Sequence, residues 1–182
     1  LSSVNFNTTI AGIEDADVIL IVGSDVRREA SLVNTRIQKA VRQRAAKVFA
    51  IGPETDLTYR TEWLGEDMSL LTKLPKAAAD ALKNAKRPAV IVGGAALSIK
   101  GVHGAALALV KKYKLIRKLD DGASWNGFNV LHFTAARMGG LMLGYAMPGG
   151  IEDIAKAKPK LAFFLGADEV DFSAFDKTFK VY

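Results

Sequence analysis

Five apolar residues, Val18-Ile19-Leu20-Ile21-Val22, run without interruption into Gly23-Ser24. The same grammar returns in Ala89-Val90-Ile91-Val92 before Gly93-Gly94, and in Leu161-Ala162-Phe163-Phe164-Leu165 before Gly166-Ala167. A fourth run, Lys47-Val48-Phe49-Ala50-Ile51, ends in Gly52-Pro53. Strict alternation marks a strand with one face in water, whereas continuous hydrophobicity marks strands covered on both faces, as in a parallel sheet between helical layers. All four runs are therefore expected to be buried central strands.

From Glu29 to Arg44 the apolar residues Val33, Ile37, Ala40 and Val41 recur at helical spacing, with polar residues between them. Strand, helix and strand in succession imply a right-handed crossover. Asp67 to Asn84 is expected to be helical in part, its second piece beginning at Pro75, because only a first helical turn tolerates the missing N–H. Further helices are expected around Gly104 to Lys114, Val130 to Met138 and Ile151 to Lys158. The fold class that follows is α/β: a mostly parallel sheet with helices on both faces, in Rossmann-like lobes. Charge and Gly122 interrupt the pattern between Lys114 and Ser124, so two lobes of about 1–115 and 116–182 are expected.

Composition narrows the chemistry. The 182 residues, 49% of them hydrophobic, can bury a substantial core. There is no cysteine, which removes disulfides, thiolate nucleophiles, zinc–thiolate sites and Cys-ligated iron–sulfur clusters. The weakly polar run Met138 to Met147 is broken by Gly139, Gly140 and Gly144, and falls short of the roughly 20 apolar residues that span a bilayer. Direct membrane insertion is not expected. No cationic stretch followed by an apolar segment opens the chain, so no secretory leader is read there, and Leu1 reads as a domain boundary. The net charge of +6 is uneven: Arg27, Arg28, Arg36, Lys39, Arg42, Arg44 and Lys47 face only Glu29 within their own stretch.

Ligands of open parallel sheets bind beyond the carboxyl ends of the strands, where glycine admits a phosphate to the backbone and a helix start is partly positive. Gly23-Ser24-Asp25, Gly93-Gly94 and Gly166-Ala167-Asp168 are expected on that edge. None completes a G-x-G-x-x-G fingerprint or a phosphate-binding loop with its Lys and Ser/Thr, so structural turns are the favoured reading and a nucleotide- or cofactor-binding pocket the alternative. Asp168, Glu169 and Asp171 could form a metal or acid/base site, but carboxylates are equally at home in a first helical turn, and capping is favoured. His103 and His132 have no triad or paired-ligand pattern, and are read as packing or hydrogen-bonding residues. The basic helix lacks the interleaved aromatics that stack bases, so a solvated face or a protein interface is expected and nucleic acid is not.

Longer words carry a resemblance. Asn7 to Asp17 leading into Val18 to Ser24, then Arg27-Arg28-Glu29-Ala30 with Leu32 to Lys39, then Asp56-Leu57-Thr58-Tyr59 with Leu64-Gly65, resemble successive blocks of one family. Trp125 to His132, Gly140-Leu141, Leu143-Gly144-Tyr145 and Leu165 to Glu169 resemble further blocks in the same order. The family is the large iron–sulfur subunit of respiratory NADH:quinone oxidoreductase (complex I), in its molybdopterin-oxidoreductase-like region.

The resemblance implies a segment of an enzyme that passes electrons from NADH to quinone, holding no redox centre, catalytic residue or metal of its own. The 2Fe-2S and 4Fe-4S clusters of the family are implied to lie in an upstream, cysteine-bearing region. Implied partners are other peripheral-arm subunits. The implied location is membrane-associated through the complex, on the cytoplasmic face of a bacterial inner membrane or the mitochondrial matrix face. Pterin-binding relatives often carry Gly-x-Asn-Pro after the first strand, where this chain has Gly23-Ser24-Asp25-Val26. Losing that Asn-Pro removes a side-chain amide and loop stiffness. Gly23, Ser24, Asp25, Gly93, Gly94, Gly166 and Asp168 thus remain as vestigial cofactor positions. Arg87 to Gly94 also locally resembles the central domain of thiamine enzymes.

Overall fold

Three of the four continuous apolar runs become adjacent strands. The computed structural model describes residues 2–134, 136–145, 149–167 and 170–182. Its strands are β1 (Val18–Val22), β2 (Lys47–Ile51), β3 (Glu62–Gly65), β4 (Pro88–Val92), β5 (Ile116–Lys118), β6 (Ser124–Asn126) and β7 (Phe128–Val130), followed by β8 (Leu161–Phe163) and β9 (Phe179–Val181). A five-stranded sheet has the order β3-β2-β1-β4-β7, with every pairing parallel. The order reverses between β1 and β4, which makes this a doubly wound sheet with its switch point there.

The helices are α1 (Val26–Glu29), α2 (Ser31–Arg44), α3 (Lys76–Asn84), α4 (Gly94–Leu97), α5 (Val102–Lys112), α6 (Arg137–Met142) and α7 (Gly150–Lys156). Because strand side chains alternate, β1 feeds two cores. Leu20 and Val22 pack with Phe49, Val90, Leu82 of α3 and Leu109 of α5. Ile19 and Ile21 pack with Val48, Ile91, and Val33 and Ile37 of α2 on the opposite face. All five β1 side chains are buried, worth on the order of 10 kcal/mol of transfer free energy. The helical layers on both faces agree with the pattern read from the sequence.

The chain divides into two units, Leu1–Ala135 and Ala136–Tyr182. The larger holds the five-stranded sheet and the antiparallel pair of β5 and β6. The smaller holds β8 and β9 as a two-stranded parallel pair, with Phe164 meeting Phe172 and Phe175 edge-on and stacked on Tyr182.

Two expectations are corrected. Leu161 to Leu165 is not a central strand: β8 has one strand neighbour, and Leu161, Phe163 and Leu165 are exposed. Among the described residues of Val130 to Met138, Val130 ends β7 and only Arg137 and Met138 are helical, in α6. Short apolar runs do not distinguish strand from helix, and β7 is stabilised by its register against β4 rather than by any local signal.

Candidate functional site

The carboxyl edge of the larger sheet is where a cofactor of this fold class would sit. β1 runs into Gly23, whose N–H donates to the Ile51 carbonyl at 2.8 Å; β4 runs into Gly93, whose N–H donates to the Val22 carbonyl at 2.9 Å. Gly23 has φ +55°, and a Cβ there would lie 2.6 Å from the Ala96 Cβ. A Cβ on Gly93 would lie 2.5 Å from the Ser24 Cβ. Each turn therefore needs glycine because the other turn, or the helix following it, occupies the space. Gly94 is covered in the same way by the ring of Phe133.

The polar groups of the first turn are also occupied from within. Ser24 Oγ donates to Glu29 Oε2 at 2.5 Å, and the Asp25 N–H donates to Glu29 Oε1 at 3.3 Å. Asp25 itself caps α1, accepting from the Arg28 N–H at 3.3 Å. A hydroxyl and an N–H that could hold an external anion thus hold the chain's own carboxylate. Beside them lies a cleft of about 400 Å³, whose charged lining residues are Asp25, Glu29 and Glu66, with Trp63 and Met68 among its walls. Among its lining residues a phosphate would meet three carboxylates and no cation, the neighbouring Arg28 being already paired with Asp25, and like charges at short range in a partly desolvated cleft are strongly unfavourable. These residues do not fit a phosphate-bearing pterin or nucleotide.

The block residues of α1 and α2 hold the loop that follows β2. Arg27 Nη1 donates to the Asp56 carbonyl at 3.1 Å and to Asp56 Oδ2 at 2.5 Å. Asn34 Nδ2 donates to the Leu57 carbonyl at 3.2 Å, and Gln38 Nε2 to Thr58 Oγ1 at 3.1 Å. The N–H of Thr58 and the Arg27 guanidinium hold the Asp56 carboxyl below its usual range. Burial, reinforced by the charge of Asp25, pushes the Tyr59 phenol well above its ordinary value.

Most of the basic patch is paired with carboxylates of the chain itself. Lys39 Nζ donates to Glu14 Oε1 at 2.8 Å and Arg36 bonds the same oxygen, so the two together hold Glu14 below the usual carboxylate range. Arg44 pairs with Asp15 at 2.7 Å. Glu14 and Asp15 lie in a 3-10 turn, Gly12–Asp15, that packs on α2. With Arg27 on Asp56 and Arg28 beside Asp25, five of the seven cations have carboxylate neighbours. Most of those neighbours come from before β1 and after β2, beyond any helical spacing.

The remaining candidates lie elsewhere. Gly166 follows β8 in the smaller unit, has φ +61°, and a Cβ there would meet nothing within 4 Å. Asp168 and Glu169 lie outside the described residues. Asp171 caps a 3-10 turn, accepting from the Ser173 N–H at 3.0 Å, and the Ser173 hydroxyl and N–H hold its carboxyl below the usual range. Nε2 of His103 and Nε2 of His132 each lie 2.7 Å from a carbonyl, of Ser3 and Val4 respectively, fastening the amino-terminal segment. Among the described residues no group of three or more His, Asp or Glu could hold a metal, and no helix is long and apolar enough to cross a membrane.

Three residues of the Trp125 block carry roles that the sequence pattern does not signal. Trp125 Nε1 donates to the Pro88 carbonyl at 2.8 Å. Gly127 passes so close to that carbonyl that a Cβ would collide with it. Asn129 Oδ1, fully buried, accepts from the Thr8 N–H at 2.9 Å and its hydroxyl at 3.0 Å. An Asn between apolar residues is the only hint the sequence offers.

The doubly wound fold and its glycine-edged turns are those of a known class. The sequence profile of the molybdopterin oxidoreductase family matches residues 2–182, and the chain belongs to that family. Within it, the chain is similar to the G subunit of the NADH-quinone oxidoreductase of Rickettsia bellii, 40% identical over 185 residues covering 97% of this chain and 26% of that protein. It is 39% identical over 172 residues to the mitochondrial NADH-ubiquinone oxidoreductase 78 kDa subunit of Neurospora crassa, covering 90% of this chain and 22% of that protein. The corresponding NADH-quinone oxidoreductase polypeptide of Rickettsia typhi is 38% identical over 189 residues, 97% of this chain and 26% of that protein. The chain spans about a quarter of the length of these relatives. The resemblance read from the ordered blocks is matched by these relatives.

Proposed function

We propose that this chain is a scaffold segment of the large peripheral-arm subunit of an NADH:quinone oxidoreductase, packing beside other subunits and supplying no electron carrier. The observation that carries the reading is the internal occupation of the cofactor edge. Glu29 takes the polar groups of the first turn, while Ala96, Ser24 and Phe133 take the space that Gly23, Gly93 and Gly94 leave. The absence of cysteine fits a segment whose iron–sulfur clusters are bound in another region of a longer subunit. Association with the membrane, on the cytoplasmic or matrix side, then comes through the assembled complex.

The test separates abundance from turnover. Glu29→Gln and Asn34→Ala, placed in a full-length subunit, should lower the amount of assembled complex while NADH:quinone turnover per assembled complex stays unchanged. A fall in turnover per complex, with assembly intact, would contradict the scaffold reading. The second reading, a cofactor-binding domain, is favoured only by the 400 Å³ cleft; saturable low-micromolar heats with a pterin nucleotide, NAD or FAD would establish it.

A further inference from the structure

While most cations of α1 and α2 are paired with carboxylates, a second group of cations has no such partners. Lys83 in the last turn of α3, Lys86 beyond it, Lys111 and Lys112 in the last turn of α5, then Lys114 and Lys118 are all exposed. No ion pair joins any of them to a carboxylate among the described residues. Arg117 gathers the two helix ends: its guanidinium donates to the Ala85 carbonyl at 3.0 Å, to that of Tyr113 at 2.7 Å and to that of Lys114 at 2.6 Å. Of the carboxylates nearby, Asp17 and Asp121 are already engaged, while Asp120 is exposed and is joined to none of these lysines by an ion pair among the described residues. Asp17 accepts from the N–H groups of Lys86 and Arg87, and Asp121 from the Arg87 guanidinium and the Ala123 N–H. On β5 the exposed side chains alternate with Arg117, so Ile116 stands outward near Lys114 and Lys118.

Cations at the carboxyl ends of helices favour those ends, but six gathered at the joined ends of α3 and α5 and along β5 repel one another unless a negative surface meets them. We infer that this end of the larger unit docks an acidic face of a partner polypeptide through these lysines, with Ile116, between Lys114 and Lys118 along the chain, as an apolar contact. Nucleic acid fits less well, because no exposed aromatic stands among the lysines to stack a base. A lipid surface fits less well, because interfacial binding needs several bulky apolar residues and Ile116 is alone. The inference deepens the scaffold reading by naming a docking surface, and it is independent of whether the carboxyl-edge cleft takes a ligand.

The experiment uses a fluorescent polyglutamate peptide as probe, with anisotropy read at about 50 and about 300 mM NaCl, on either side of the ionic strength at which screening becomes short-ranged. Binding should weaken about tenfold or more between the two salt concentrations, and about tenfold at low salt in the combined variant Lys86→Glu, Lys112→Glu, Lys114→Glu, Lys118→Glu. Arg42→Glu on α2 should leave it unchanged. Ile116→Ser should weaken binding without altering its salt dependence. If the combined variant does not fold, Lys112→Ala and Lys114→Ala singly should each weaken binding by about two- to threefold. Equal binding by the chain and its lysine variants would overturn the inference. So would tighter binding to phosphatidylserine vesicles or to duplex DNA than to polyglutamate. Neither result bears on turnover per assembled complex, so this inference and the scaffold reading fail separately.

Discussion

The two units answer the same sequence pattern differently. In the larger, β1 and β4 lie within a parallel sheet with helices on both faces, and every residue of both strands is buried. In the smaller, β8 pairs among the described residues with β9 alone, and Leu161, Phe163 and Phe179 remain 49%, 63% and 70% exposed. Continuous hydrophobicity reports what a strand is able to pack against. It does not report how many strands and helices flank it, and that number decides how much each side chain contributes.

Breaking the comparison starts with the cores. Leu20→Ala removes a fully buried side chain between β2, β4 and the helices, and should cost about 3 kcal/mol in urea unfolding followed by tryptophan fluorescence. Phe179→Ala, at an exposed site, should cost under about 0.5 kcal/mol when the smaller unit is followed by near-ultraviolet circular dichroism. Equal costs would mean that the exposed strand pair is covered in solution.

A smaller effect concerns how the larger unit closes its edge. Asn129→Ala leaves the Thr8 N–H without its acceptor, the Thr8 hydroxyl keeping the Thr9 carbonyl at 3.1 Å, and should cost about 1–2 kcal/mol. The amino-terminal segment should become the first site cut in limited proteolysis. Unchanged protease resistance would show that the other bonds to this segment, from His103, His132, Asn7 and the Val130 N–H, suffice to hold it.

The pH dependence is smaller still, and it distinguishes two groups of the larger unit. Glu14 sits below its usual 4.5 because Lys39 and Arg36 bond its charged form, so the unfolded chain binds the proton more tightly. The stability it contributes is present above pH 4.5 and is lost as pH falls through the lowered native value. Tyr59 is shifted upward from 10.0 by burial, so its contribution is present below pH 10.0 and is lost as the medium becomes more alkaline. Urea midpoints across pH should show both arms, with Glu14→Gln flattening the acid arm and Tyr59→Phe the alkaline one.

Legibility followed locality. The spacing of Val33, Ile37 and Ala40 gave α2, and Pro75 marked the start of α3, because both signals lie within a few residues. β3 and β7 were missed because Glu62-Trp63-Leu64-Gly65 is half polar and Phe128-Asn129-Val130 is very short; both exist through pairing with distant strands. The glycine turns were visible in the sequence, but their purpose was not. Gly23 meets Ala96 and Gly93 meets Ser24 only once β1 and β4 are neighbours. The basic residues of α2 read as a surface patch for the same reason, since Glu14, Asp15 and Asp56 reach the cations of α1 and α2 only in the fold.

Native-state hydrogen exchange at the Gly23, Asp25 and Gly93 amides tests the central claim most directly. Each donates to a group of the chain itself: the Ile51 carbonyl, the Glu29 carboxylate and the Val22 carbonyl. With the edge filled from within, these amides should exchange slowly in the ligand-free chain and remain unchanged on adding a pterin nucleotide, NAD or FAD. Fast exchange that slows when one of these is added would contradict the account.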